Sequence, residues 1–240
     1  MARPPVQRAN PRLSAVQLAD YLSSASPVAQ LGILRQAKNP GPNRPIIIQY
    51  HHARRTIAEC LRDRGGINRI VANSTNALEE RRDDAANGPL VRDDAQRCID
   101  TIQRFQLTAN ALDIWQTEYR EPRIPSPSLN INGVEVSVAA DALVIDNRRA
   151  RVGQAFIRCT IGAGGDAAEN RRQEANVQLA TIAHMHALQY LADLGQPYPQ
   201  TSLVIDVSRE TVFRAPANSA RRIANIEAAC AMIAAVWPGI

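Results

Sequence analysis

The chain has 240 residues, 45% hydrophobic and 21% charged, with a formal net charge of +5 at pH 7. That is the profile of a globular protein of one large domain or two small ones, and it excludes a disordered chain. No apolar run approaches the ~20 residues that a bilayer span needs, and the N-terminus has no apolar signal core, so the sequence predicts a soluble, cytoplasmic protein without membrane association.

Residues 1–12 are rich in proline and arginine without periodicity and read as a flexible arm. Ser14 then opens a helix with Leu18, Tyr21 and Leu22 on one face, and Ser26-Pro27 starts a second that runs to about Gln36. The stretch 38–45 (KNPGPNRP) breaks the chain. It begins with Lys38, the single lysine among 28 basic residues and so the single candidate for ammonium chemistry. From Tyr50, Ala53, Ile57 and Leu61 recur at helical spacing until Gly65-Gly66. Ile67, Ile70, Val71 and Leu78 suggest the next helix, 81–94 a charged loop, and 93–118 a long helix through Ile102, Phe105 and Trp115.

The proline-rich linker 121–128 separates this helical region, 13–120, from a mixed region, 129–240. Here the period changes from 3.6 to 2. Leu129–Ile131, Asn132-Gly133 and the alternating Val134, Val136, Val138 form a hairpin signal, and a third strand runs from about Arg151 to Ile161. Gly162–Gly165 reads as a flexible turn, lacking the lysine of a phosphate loop. A helix over 166–194, a strand at Leu203–Val207, a short partner at Val212-Phe213 and a last helix capped by Asn218 or Ser219 complete the order. The four cysteines form no metal or disulfide spacing and read as buried thiols.

Helices, three strands, a long helix and a return strand are the core arrangement of the PD-(D/E)XK nuclease superfamily, and short motifs add to the likeness. LSAVQLADYL (13–22) resembles the early Ser-Leu-Tyr segment of the RecB-type branch, His51 or His52 stands at a helix start, and NGVEVSVAADALVID (132–146) resembles the strand that carries the metal-binding aspartate, here Asp141. The resemblance implies an α+β fold with a restriction-endonuclease-like core (β-β-β-α-β) behind a helical N-terminal segment, and Asp141 as a metal ligand.

The next family motif is degenerate. GQAFIRCT (153–160) offers Phe156 and Arg158, or Gln154 and Phe156, where a carboxylate and a lysine are expected. Such nucleases need two acids for Mg²⁺ and a lysine to position water, and arginine does not exchange its proton near neutral pH. Gln154, Phe156 and Arg158 share a strand face by the period of 2. Glu135 shares a face with Asp141 but lies six residues away, about 20 Å along a strand. Gln178 matches the family's helix glutamine, with Ile182 where its tyrosine belongs.

The resemblance therefore implies a non-catalytic protein of bacterial DNA processing or anti-phage defence that binds DNA or RNA, or a protein partner, with Asp141, Gln154 and Arg158 as a vestigial or remodelled site and no cofactor. One alternative is an active Mg²⁺-dependent nuclease with an acid recruited from Glu169 or Glu174. Another is an interaction scaffold whose arginines are compositional. His51, His52, Arg54, Arg55, Arg148, Arg149, Arg151 and Gln178 are the candidate nucleic-acid contacts, with the arginines of both segments expected beside the cleft. Arg171-Arg172 and Arg221-Arg222 read as surface pairs. His184 and His186, ~200° apart on a helix, cannot share a metal.

Overall fold

The computed structural model describes residues 7–40, 49–162 and 164–240; residues 1–6 of the expected arm and 41–45 of the expected break lie outside them. A short strand, β1 (Arg12–Ser14), leads into α1 (Ala15–Ser23). Ser14 closes a capping box: its hydroxyl accepts from the Gln17 N–H at 3.1 Å, and the Gln17 amide oxygen accepts from the Ser14 N–H at 2.9 Å. Ser26 caps α2 (Pro27–Lys38), with Pro27 in the first turn. Three helices follow, α3 (His51–Arg62), α4 (Ile67–Asp83) and α5 (Pro89–Thr108).

The loop expected over 81–94 shrinks to residues 84–88, because α4 runs on through its charged last turn and Pro89 starts α5 with a preset φ. The helix expected to reach Glu118 stops at Thr108, and Glu118–Arg120 is instead strand β2. Tyr119 anchors that strand: it is buried and its hydroxyl donates to the Ile114 carbonyl at 2.9 Å.

The predicted hairpin is present as β3 (Leu129–Ile131) and β4 (Val134–Ser137), turning at Asn132 and Gly133 with φ of 45° and 83°. It does not join the strands that follow. β1 pairs parallel to β4, giving a separate sheet in the order β1-β4-β3. After a break at 138–141 the chain forms β5 (Ala142–Asp146), then β6 (Arg151–Arg158), α6 (Asp166–Tyr190), β7 (Gln196–Pro197) beside β6, β8 (Leu203–Asp206), β9 (Thr211–Arg214) and α7 (Ala220–Val236). The main sheet runs β2-β5-β6-β8-β9, with β6 and β8 parallel across the α6 crossover and its other neighbours on that path antiparallel. The three strands before the long helix are thus β2, β5 and β6, not the expected β3, β4 and β6.

Residue alternation on β6 and β8 sorts the core into two layers. Ala155, Ile157, Leu203 and Ile205 face α3, α4 and α5, burying Ile57, Ile99, Ile102 and Phe105. Phe156 and Val204 face the other way, onto α1, α6 and α7 and the small sheet. No helix among the described residues is long and apolar enough to cross a membrane, and the four cysteines are buried and free. At Gly153, on β6, a Cβ would lie 2.3 Å from the Thr201 carbonyl oxygen. Gly153→Ala is expected to cost about 1–3 kcal/mol by overpacking, read as a lower urea midpoint at unchanged slope.

Candidate nucleic-acid interface

Asp141 stands where β5 meets β6: its N–H donates to the Ala155 carbonyl at 2.8 Å. Its side chain turns to the layer of Ala155, Ile157 and α3, while Phe156 faces the other layer. Both carboxylate oxygens are engaged, Oδ1 accepting from Arg54 Nη2 at 2.9 Å and Oδ2 from the Ile157 N–H at 2.7 Å. Burial raises this carboxyl above its ordinary value, while Arg54, the Ile157 N–H and the nearby His51 pull it down. α3 therefore brings Arg54 and His51 to Asp141. Phe156, on the opposite face of β6, is buried with Leu179 and Ile182 of α6, so hydrocarbon and not a carboxylate stands two residues before Arg158.

Arg158, two residues on, turns to α6 and α1. Its Nη1 donates to Asn176 Oδ1 and its Nη2 to Asp20 Oδ1, both at 3.1 Å. Asn176 Nδ2 donates to Asp206 Oδ2 at 2.9 Å, and Arg172 grips the same carboxylate through Nε at 2.5 Å and Nη2 at 2.7 Å. Burial alone would raise Asp206, but the hydrogen bonds from Arg172 and Asn176 outweigh it and hold the carboxyl below its usual range. The chain Asp20–Arg158–Asn176–Asp206–Arg172 thus ties α1, β6, α6 and β8 together.

Arg172 is a correction to the expected surface pair: its side chain is 9% exposed, while Arg171 is exposed. Arg222 likewise turns inward to Glu174, leaving Arg221 exposed. Asp206 is the residue that sequence reasoning missed, and the available signal was an acid closing the otherwise apolar run LVID in a central strand.

Other expected members of the site lie elsewhere. Gln154 is buried four residues before Arg158, about 13 Å along the strand, with its side-chain oxygen unpartnered. Gln178 donates to Glu174 Oε1 at 2.7 Å, an acid that also receives Arg222, and Glu169 accepts from Arg209 at 2.6 Å. Both α6 acids are therefore held by other arginines. Glu135 belongs to the small sheet, where it meets Arg12 at 3.4 Å, because the strand ends at Ser137.

Arg148, Arg149 and Arg151 lie at the far end of the β5–β6 hairpin, five or more residues from Asp141 and so about 17 Å along the sheet. They do not border the cleft at Asp141. The arginines of α3 and the turn after it also part company: Arg54 turns inward, Arg62 reaches Glu121 at 3.8 Å, Arg64 lies over Trp115 at 4.9 Å, and Arg55 stays exposed.

The chain matches no protein family, no curated protein and no solved structure. The chemistry of the site has to come from its own geometry. Among the described residues no group of three or more His, Cys, Asp or Glu side chains gathers to hold a metal ion. Asp141 is instead paired with the Arg54 guanidinium.

What the site offers instead is a row of donors. Two cavities, of about 290 and 150 Å³, share Arg158 and Thr160; the first adds Arg171 and Arg172, the second Tyr50 and Arg54. His51, His52 and Arg55 continue the exposed surface at the start of α3, where burial and the charges of Arg81 and His51 keep His52 below its ordinary value.

The remaining histidines are structural. His184 and His186 are buried in α6, and His186 Nε2 lies 2.9 Å from the Pro127 carbonyl, which it meets as a donor. Burial lowers both below the ordinary imidazole value. The unfolded chain therefore binds these protons first, and stability is expected to fall as pH drops from about 6.5 toward 5. Urea midpoints across that range check it, and His184→Gln should flatten the slope.

Proposed function

We propose that the protein is a degenerate PD-(D/E)XK-type nuclease that binds nucleic acid along the Arg54–Arg158–Arg171 face without cutting it, as a cytoplasmic component of DNA processing or anti-phage defence. The observation that carries this is an Asp141 whose two oxygens are already engaged by Arg54 and the Ile157 N–H, with Phe156 rather than an acid two residues before Arg158. The strand order of the main sheet, with its parallel β6–α6–β8 unit, supports the restriction-endonuclease-like core. Arg158 supports it too, since it occupies the lysine position and reaches α6 and α1. The pathway comes from the resemblance alone.

An arginine in that position contacts phosphate as a fork but does not serve a proton transfer near neutral pH. Mg²⁺ would need a second carboxylate within its short coordination reach, and Phe156 stands in the sequence where the family carries that acid.

The test is incubation with plasmid, single-stranded DNA and single-stranded RNA in Mg²⁺ or Mn²⁺, with binding measured against salt. Intact substrate and binding that weakens steeply with salt are expected. Arg55→Ser with Arg171→Ser should weaken it further. Asp141→Ala, which frees the Arg54 guanidinium, should strengthen it. Metal-dependent cleavage lost in Asp141→Ala would establish the active nuclease instead, and neither cleavage nor binding would leave the protein-scaffold reading.

A further inference from the structure

A cavity of about 530 Å³ lies at the opposite end of the main sheet from Asp141, by the β5–β6 hairpin. Its walls carry Arg148, Arg149, Arg151 and Arg214 against two acids, Asp113 and Asp146. Arg214 meets Asp113 at 3.5 Å and Arg149 meets Asp146 at 3.6 Å. Arg148 is exposed, and neither it nor Arg151 has a carboxylate partner among the described residues. Two guanidinium charges are therefore uncompensated at one mouth.

Arg151 is held in place by stacking, its guanidinium 3.6 Å from the centroid of the Tyr198 ring. That contact leaves its N–H edges free to point at an anion. Trp115 also lines the cavity, with Arg64 over one face of its ring and its indole N–H donating to the Ala109 carbonyl at 2.6 Å. The walls thus combine a preset cationic fork with an aromatic surface, in a volume typical of small-ligand sites and larger than an inorganic phosphate fills.

We propose that this cavity binds a nucleotide-sized phosphomonoester, its dianionic phosphate between Arg148 and Arg151 and its planar ring toward Trp115. Two uncompensated positive charges match one phosphate dianion. A free mononucleotide and the 5′-terminal nucleotide of a strand present the same chemistry, and the site is independent of the Asp141 face.

Calorimetric titration of the full chain with AMP tests this, alongside adenosine, a 5′-phosphorylated oligonucleotide and its 5′-hydroxyl counterpart. Saturable AMP binding that shifts Trp115 fluorescence is expected, with affinity falling about tenfold or more in Arg148→Ser combined with Arg151→Ser. Arg148→Ser alone, a change that breaks no ion pair, should lose part of that affinity. Arg221→Ser, on the exposed face of α7, should lose none. Competition by the phosphorylated oligonucleotide alone assigns the strand end as the source, and its failure to compete assigns the free nucleotide. AMP binding no tighter than adenosine, or unchanged in the arginine variants, overturns the proposal whatever the Asp141 face binds.

Discussion

Asp206→Ala is expected to remove about 3–5 kcal/mol of unfolding free energy, the cost of leaving a buried charge without its partner. Asp206 is 0% exposed and receives Arg172 in a two-pronged contact, with Asn176 and Ser208 completing its shell. Without the carboxylate, Arg172 keeps its charge in a nearly closed setting and Asn176 loses the acceptor that orients it toward Arg158. Urea unfolding reads the loss directly. Pairing the change with Arg172→Met should recover much of it, since removing both charges removes the orphan. A loss below about 1 kcal/mol would mean that water reaches the vacated space and that the pair is not dry. The pH signature has a definite sign: the folded carboxyl lies below its unfolded value, so its contribution is full above about 3.8 and is lost as pH falls through the lowered value.

Lys38→Ala should cost about 3 kcal/mol, because hydrogen bonds from a charged group contribute about 1.5–3 kcal/mol and the acceptors left behind are partly dry. The only lysine of the chain is 6% exposed, and its Nζ donates to the carbonyls of Trp237 at 2.7 Å, Ile240 at 3.1 Å and Pro238 at 3.3 Å. An ammonium suits this place because it offers three donors from one compact atom. Its role is therefore to fasten α2 to the turn after α7, which removes it as a source of reactive amine. Lys38→Arg should fall between the two, since a planar fork cannot serve all three carbonyls. Thermal unfolding followed through Trp237, itself buried, measures both variants. A Lys38→Ala protein as stable as the parent would show that the turn finds other donors.

Local chemistry made the helix starts and the tight turn legible. Ser14, Ser26 and Asn132-Gly133 act through neighbours three residues away or fewer, so sequence carries the whole interaction. β2 was not legible, since three residues show no period, and its place depends on pairing with β5. Nor was the split between the two sheets, because Val138 continues the alternation of β4 although the backbone has already left the strand. In the candidate site, the common face of Gln154, Phe156 and Arg158 followed from strand geometry. The grip of Arg172 on Asp206 did not, because the two are 34 positions apart, with the rest of α6 and the return to β8 between them. The same holds for the arginines of the β5–β6 turn: hairpin residues adjacent in sequence to a strand can stand at either end of a sheet, and only the register says which.

The seating of β1 beside β4 has a consequence for how the molecule is made. Ser137 donates to the Leu13 carbonyl across 124 positions of chain, and α1 packs on α6, farther along still. A nascent chain leaving the ribosome therefore carries α1 with Leu18 and Tyr21 uncovered until most of the polypeptide has been translated. Chaperones that shield apolar segments should engage this stretch early, and refolding from denaturant should close it late, at the rate that so long a loop allows.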